Sequence, residues 1–374
     1  AMRLAELIAL VEAWYPPEHA EDWDAVGLVC GDPEADVRRV LLAVDPVQVV
    51  ADEAVSLDAD LVITHHPLFL RGTSSVAATT PKGRVVHTLV THGCGLLAAH
   101  TNADAPAGGV SESMGLALGL QHLWPLDADT ADPLDKIVVF APTSAAQSLR
   151  DELADAGAGH LGDYDQASFS AQGVGRFRPL PGADPAIGSV GALESVEEER
   201  IEVIAPRRLR GLLVDVIRAV HPYEEPAYDV YELAALPQVD RGSGRIGHLP
   251  EEMTLRDFAA RVRDALPETA HGVRVAGDPD RRVQTVALCG GSGDFLLDRA
   301  RREGADVYVT SDLRHHPASE LREHGDAPAL VDVAHWAAEW TWLPVLRDRL
   351  AGELGDTVEV HVSTTNTDPW TFRV

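Results

Sequence analysis

Arg38-Arg39-Val40-Leu41-Leu42-Ala43-Val44-Asp45 and Leu61-Val62-Ile63-Thr64-His65-His66-Pro67 are two short apolar runs that flank a stretch of helical spacing at 46–57. Together they predict a β-α-β unit with parallel strands. The second strand ends on two adjacent imidazoles, and Pro67 stops it there. In open α/β folds the carboxyl edge of the sheet is where ligands bind, so His65 and His66 are the first candidate site residues.

The same grammar extends in both directions. Upstream, Leu4, Leu7, Ile8 and Val11 form one face of a helix over 3–14, ended by Pro16-Pro17. Far downstream, 283–289 reads as a strand, Gly290-Gly291-Ser292-Gly293 as a tight turn and 294–303 as a helix. A further strand leads to Ser311-Asp312-Leu313-Arg314-His315-His316-Pro317. Ala-Asp, an apolar strand, Thr and then His-His-Pro occur in both places, a weak internal repeat. It predicts an α/β protein with two similar α/β halves forming one body, at 1–129 and 239–374.

Between the halves the pattern changes. Residues 126–134 are rich in Asp, Ala and Pro and read as a linker. Strands are expected at 136–140, 200–205 and 228–233, helices at 144–156 and 208–220, and a hairpin around 170–193. That order is consistent with an inserted ferredoxin-like βαββαβ domain over 130–238.

Three further residues join the two histidines. His335 and Glu339 are four apart after an apolar strand at 329–333, so a helix beginning at Ala334 stacks them on one face. Asp104 follows His100 in a polar, turning segment and could be either a ligand or a cap. Adjacent residues on a strand point to opposite faces, so His65 and His66 serve separate ions more easily than one, unless the backbone turns there. Three imidazoles and two carboxylates exceed the three protein ligands usual in a catalytic zinc centre, and suffice for two ions if one carboxylate bridges. Nitrogen and oxygen donors without sulfur suit zinc, iron, manganese or cobalt. His100, Asp312 and His316 are candidates for proton transfer or for orienting the ligand histidines.

Composition narrows the function classes. The chain has 374 residues, 45% hydrophobic and 24% charged, enough for at least two cores. A net charge of −28 disfavours nucleic-acid binding, and the Arg207-Arg208-Leu209-Arg210 run is too short to reverse that. Cys30, Cys94 and Cys289 are too scattered for a disulfide framework or a thiolate site. No apolar run approaches the roughly 20 residues of a membrane span, and no membrane association is expected. A cytoplasmic protein is expected.

Taken jointly, several motifs resemble those of the GTP cyclohydrolase 1 type 2 homologue family, the dinuclear metal centre proteins. They are Asp22-Trp23-Asp24-Ala25-Val26-Gly27-Leu28, Ile63-Thr64-His65-His66-Pro67, His100-Thr101-Asn102-Ala103-Asp104, Gly291-Ser292-Gly293, Thr310-Ser311-Asp312-Leu313-Arg314-His315-His316, His335-Trp336-Ala337-Ala338-Glu339 and Thr367-Asp368-Pro369. The resemblance implies that His66, Asp104 and Glu339 hold one ion, and that His65, His335 and the same Glu339 hold the other. Gly159-His160-Leu161-Gly162-Asp163-Tyr164, Gly175-Arg176-Phe177-Arg178-Pro179 and His221-Pro222-Tyr223-Glu224-Glu225 resemble the PII-like insert of the longer bacterial members. The resemblance also implies a toroidal homohexamer with metal sites facing an inner cavity. Its name implies hydrolytic opening of the guanine ring of GTP with release of formate. Ala25 and Ser311 depart from the family's usual Asn and Gly.

These readings lead to a two-metal hydrolase of a small-molecule substrate. A non-enzymatic protein that stores, delivers or senses metal, exchanging it with a donor or acceptor, uses the same five ligands. A site retained only for folding is the third reading, and two internal metals are an unusual way to stabilise a chain this large.

Overall fold

The two apolar runs form the strands Arg39–Ala43 and Leu61–Thr64, joined by the helix Gln48–Ser56. They pair in parallel, Val40 opposite Leu61 through Ala43 opposite Thr64. Gly95–Ala98 continues the sheet in parallel on the far side of Leu61–Thr64. Glu359–Val362 closes one edge in parallel and Gly27–Cys30 the other antiparallel, giving five strands.

A second sheet has six strands, ordered Val273–Ala276, Ala329–Val333, Val307–Ser311, Arg282–Ser292, Arg245–Thr254 and Gln121–Trp124. Its three middle pairings include the parallel ladder that carries Ala329–Val333 beside Val307–Ser311 and then Arg282–Ser292. The central strands of both sheets are buried along their whole length and mostly apolar, because both of their faces are covered. One buried cluster joins the sheets: Leu42, Ile63 and Leu97 of the first, Val286, Leu288, Val309 and Val331 of the second, and Met114, Phe258, Trp342 and Leu346 from the helices between. Burying each such side chain contributes about 1.5–3 kcal/mol.

The computed structural model describes all residues, Ala1–Val374. The mixed α/β chain divides into two compact units: Ala1–Asp129 with Gln238–Val374, which holds both sheets above, and Thr130–Pro237. The second unit has strands Leu134–Pro142, Phe169–Phe177, Glu194–Pro206 and Ala227–Glu232 and helices Thr143–Asp155 and Arg210–Val220. All its strand pairings are antiparallel, in the order second, third, first, fourth. It has its own core of Ile137, Val139, Leu149, Leu153, Ile201, Leu213 and Ile217.

Several local expectations change. Residues 126–134 are not a bare linker: Asp127–Thr130 is a strand hydrogen-bonded to Pro237–Ser243. Its polar sequence hides it because a two-stranded ribbon needs no apolar face. The helix expected over 294–303 starts as a 3-10 turn, Asp294–Leu296, before Leu297–Arg302. The strand predicted over 60–66 ends at Thr64, and His65 and His66 lie in a bend. No helix is long and apolar enough to cross a membrane. The three cysteines are free.

Candidate metal centre

Parallel strands deliver the site. Val44 and Asp45 follow Arg39–Ala43, His65 and His66 follow Leu61–Thr64, Asp312 follows Val307–Ser311, and the helix His335–Trp340 follows Ala329–Val333. His100 and the four-residue helix Thr101–Asp104 follow Gly95–Ala98. Each group therefore sits just beyond a strand's carboxyl end.

The bend after Thr64 settles the geometry of the histidine pair. Thr64 Oγ1 donates to the carbonyl of His66 at 2.7 Å, and the two imidazoles converge with ring centroids 5.2 Å apart. They do not point to opposite faces, because the extended backbone stops one residue before them. Across the site, Glu339 is buried at 3% exposure and receives all three imidazoles. Its Oε1 is 2.9 Å from His335 Nε2 and 3.4 Å from His65 Nε2, and its Oε2 is 2.9 Å from His66 Nε2. Asp104 Oδ1 stands 3.5 Å from His65 Nε2.

The other nitrogen of each ring is tied to an acceptor. His65 Nδ1 donates to the Ala99 carbonyl at 2.9 Å, His66 Nδ1 to Asp45 Oδ1 at 2.7 Å and His335 Nδ1 to Asp312 Oδ2 at 2.7 Å. Carbonyls and carboxylates only accept, so these bonds fix the tautomer and aim every Nε2 inward. The outer carboxylates are held in turn, Asp45 by Thr367 Oγ1 at 2.6 Å and Asp312 by Ser292 Oγ at 2.6 Å. Asp312 has φ +57, a left-handed backbone that aspartate tolerates.

His100 borders the cluster, its ring 5.2 Å from that of His65 and 5.5 Å from that of His66. Its Nδ1 donates to Asp24 Oδ1 at 2.8 Å; the backbone N–H and Oγ1 of Thr101 hold the other oxygen. Ring nitrogens of His65, His66 and His100 fall within 4.8 Å of one another, as do donor atoms of His66, His335 and Glu339. His316 is not in the cluster. It is exposed in the first turn of the helix His315–Arg322, where it packs edge-on against His315.

Electrostatics follows the same geometry. Burial disfavours charge on Glu339, but His65, His66 and His335 outweigh it and hold the carboxyl well below its usual range. Burial likewise opposes charging His66, yet Glu339 and Asp45 push it up to about 11. His335, against the same burial, is pushed up to about 9 by Glu339 and Asp312. Burial raises Asp104 to about 6. His100 moves the other way, lowered by burial and by His65.

Three observations fit a bound cation. His65 Nε2 and Glu339 Oε2 are buried without a hydrogen bond of good geometry, an arrangement that is expensive unless something else satisfies them. Gly291, φ +73, faces the cluster; a Cβ there would lie 2.6 Å from Glu339 Oε1 and 3.3 Å from His335 Nε2. The donors are imidazole and carboxylate, suited to first-row divalent metals.

Other candidates resolve differently. His221 spends both nitrogens locally, Nε2 donating to the Phe140 carbonyl and Nδ1 accepting from Tyr223 N. Arg207 and Arg210 are engaged by Asp135. Ser311, where the resemblance expects Gly, buries its Oγ without a partner. Asp45 and Asp24 were legible only as a carboxylate ending a strand and as part of a motif, with no role attached.

The chain is similar to known proteins along its whole length. A protein called GTP cyclohydrolase 1 type 2 homolog from Mycobacterium tuberculosis is 48% identical over 371 residues, covering 99% of this chain and 97% of that one. The crystal structure of a Bacillus cereus protein related to NIF3 shares 37% identity with a TM-score of 0.70, covering 100% of this chain and 99% of that chain. Staphylococcus aureus protein SA1388 shares 29% with a TM-score of 0.80 and the same coverage. The family model for Duf34/NIF3 (NGG1p interacting factor 3) matches residues 2–369, and the chain belongs to that family.

Proposed function

We propose that this chain is a metal-dependent hydrolase of a small molecule, with two divalent ions held by His65, His66, Asp104, His335 and Glu339. The observation that carries the reading is the division of Glu339: Oε1 faces His65 and His335, and Oε2 faces His66. A carboxylate whose two oxygens address different imidazoles is placed to bridge. Zinc, iron, manganese or cobalt would suit these donors; bound there, such an ion would lower the pKa of a water and polarise a carbonyl, ring carbon or phosphoryl group.

The remaining groups have separable tasks. His100, oriented by Asp24 and with its basicity lowered by burial, would accept a proton at Nε2. Asp45 and Asp312 hold the rings of His66 and His335. GTP is the first substrate to try, on the relatives' name alone. The parallel ladders of the two sheets support reading the body as two similar halves. The βαββαβ order of residues 130–237 supports a ferredoxin-like, PII-like insert. A cytoplasmic homohexamer without nucleic-acid partners completes the proposal.

Elemental analysis of protein purified without added metal or chelator tests it, beside Glu339→Ala. Two ions per chain, with both weakened in the variant, are expected. One ion or none in the parent removes the two-metal reading and favours metal storage, delivery or sensing. Two ions with no turnover on GTP or a hydrolase panel removes the enzyme and keeps the metals.

A further inference from the structure

Beside the cluster stands an aromatic side chain with no structural employment. Trp23 is 59% exposed, and its ring lies 5.8 Å from that of His100 at an interplanar angle of 81°. Such an edge-on contact occupies at most one face of the indole. The other indoles on the site's helices are used differently: Trp336 is buried, Trp342 is fully buried against His65, and Trp340 donates Nε1 to the Ser363 carbonyl.

The segment that carries Trp23 is fixed to the site. Asp24 N donates to the Glu21 carbonyl at 2.9 Å, closing a turn around Trp23. Glu21 N donates to Thr101 Oγ1 at 2.9 Å, and the Asp24 carboxylate holds His100 and Thr101. An indole projecting from so well anchored a turn keeps its place beside His100. It is one ring removed from the histidines, at the solvent side.

We infer that Trp23 is a stacking platform for a flat, conjugated ring of the substrate, and hence a specificity-determining residue. This rests on the hydrolase reading above. A ring lying on Trp23 stacks on the indole that itself touches His100, so a polar substituent on that ring can reach toward the imidazole cluster. Aliphatic substrates of equal size gain no such contact. Alanine substitution of an aromatic that stacks on a base weakens binding by roughly 5- to 150-fold.

The test is calorimetric titration of the metal-loaded full chain with guanosine, adenosine and, as a probe without a conjugated ring, ribose. Trp124 is the matched control, another exposed indole (42%) beside a histidine, with its ring 5.6 Å from that of His248. Both nucleosides are expected to bind and ribose to fail. Trp23→Phe keeps affinity within about threefold and Trp23→Ala loses at least about tenfold, in line with the stacking range. Trp124→Ala matches the parent. Equal affinity in Trp23→Ala, equal loss in Trp124→Ala, no binding by either nucleoside, or loss of metal along with binding in Trp23→Ala each overturns the inference. Trp23-dependent binding without any turnover overturns the hydrolase reading alone.

Discussion

Asp24 and His100, 76 positions apart, form a buried carboxylate–imidazole pair, with Oδ1 2.8 Å from Nδ1 and the Asp24 side chain fully enclosed. The pair ties the loop after the first helix to the end of the strand Gly95–Ala98. It also leaves one His100 nitrogen free on the side of His65 and His66.

Replacing Asp24 with Asn should remove the charged acceptor while keeping the shape. The expected outcome is an unchanged metal content and a stability loss of about 2 kcal/mol, the usual scale for disturbing a buried charge-assisted bond. Urea unfolding with parallel elemental analysis checks it. Loss of metal equal to that in Glu339→Ala would mean that His100 is a ligand, not a base.

Gly291 and Gly304 offer a paired experiment. Both have left-handed backbones, φ +73 and φ +72, but a Cβ at Gly304 meets nothing within 4 Å. Alanine at either position incurs the same backbone strain, about 1 kcal/mol. Only Gly291→Ala should also displace Glu339 and cut metal content. Metal retained in Gly291→Ala at the parent's level would show that the cluster has slack.

The outer carboxylates should tune affinity without being ligands. Asp45→Asn and Asp312→Asn are each expected to weaken metal binding by about 10- to 100-fold, the range for partners behind metal-bound histidines. Competition with a chromophoric chelator measures this. His316→Ala, far from such contacts, should leave the same competition curve unmoved.

Acid sensitivity of residues 130–237 should centre on Asp135. Its carboxylate, 1% exposed, meets Arg210 Nε at 2.6 Å and Arg207 Nε at 3.0 Å, and these guanidiniums hold its pKa below the usual carboxylate value. The folded pKa is lowered, so the contribution is fully present above the unfolded value near 3.8 and fades as pH falls below it. Asp135→Asn should cost on the order of 2 kcal/mol at pH 7, less than a fully buried pair because the arginines reach solvent, and less at pH 2.5. Urea midpoints at the two pH values decide it; an equal loss at both would assign the effect to packing.

Much of the body was readable because chemistry and periodicity coincided. Leu61–Ile63 is apolar and Thr64 is β-branched, so the strand and the position of His65 and His66 at its end follow together. Spacing alone could place His335 and Glu339 on one helical face, and the strand Ala329–Val333 locates that helix. Tertiary contacts were not readable. The repeat between His65-His66-Pro67 and His315-His316-Pro317 points to equivalent roles, yet the second pair opens an exposed helix and Asp312 turns toward His335 instead. Sequence periodicity sees which residue follows a strand, but not which way the next bend turns. Asp45 carried the missed signal, a carboxylate ending a buried parallel strand beside the one that ends in His65.

The strands Asp127–Thr130 and Pro237–Ser243 lie hydrogen-bonded side by side, and Ala131 N still donates to the Leu236 carbonyl at 3.2 Å. The chain therefore leaves the first unit and re-enters it about one strand spacing away, roughly 4.8 Å. A gap of that width can be spanned by a two-residue hairpin turn. The intervening hundred-odd residues form the second compact unit. A single deletion at this ribbon should therefore remove one folded unit while leaving the backbone path of the first unit intact.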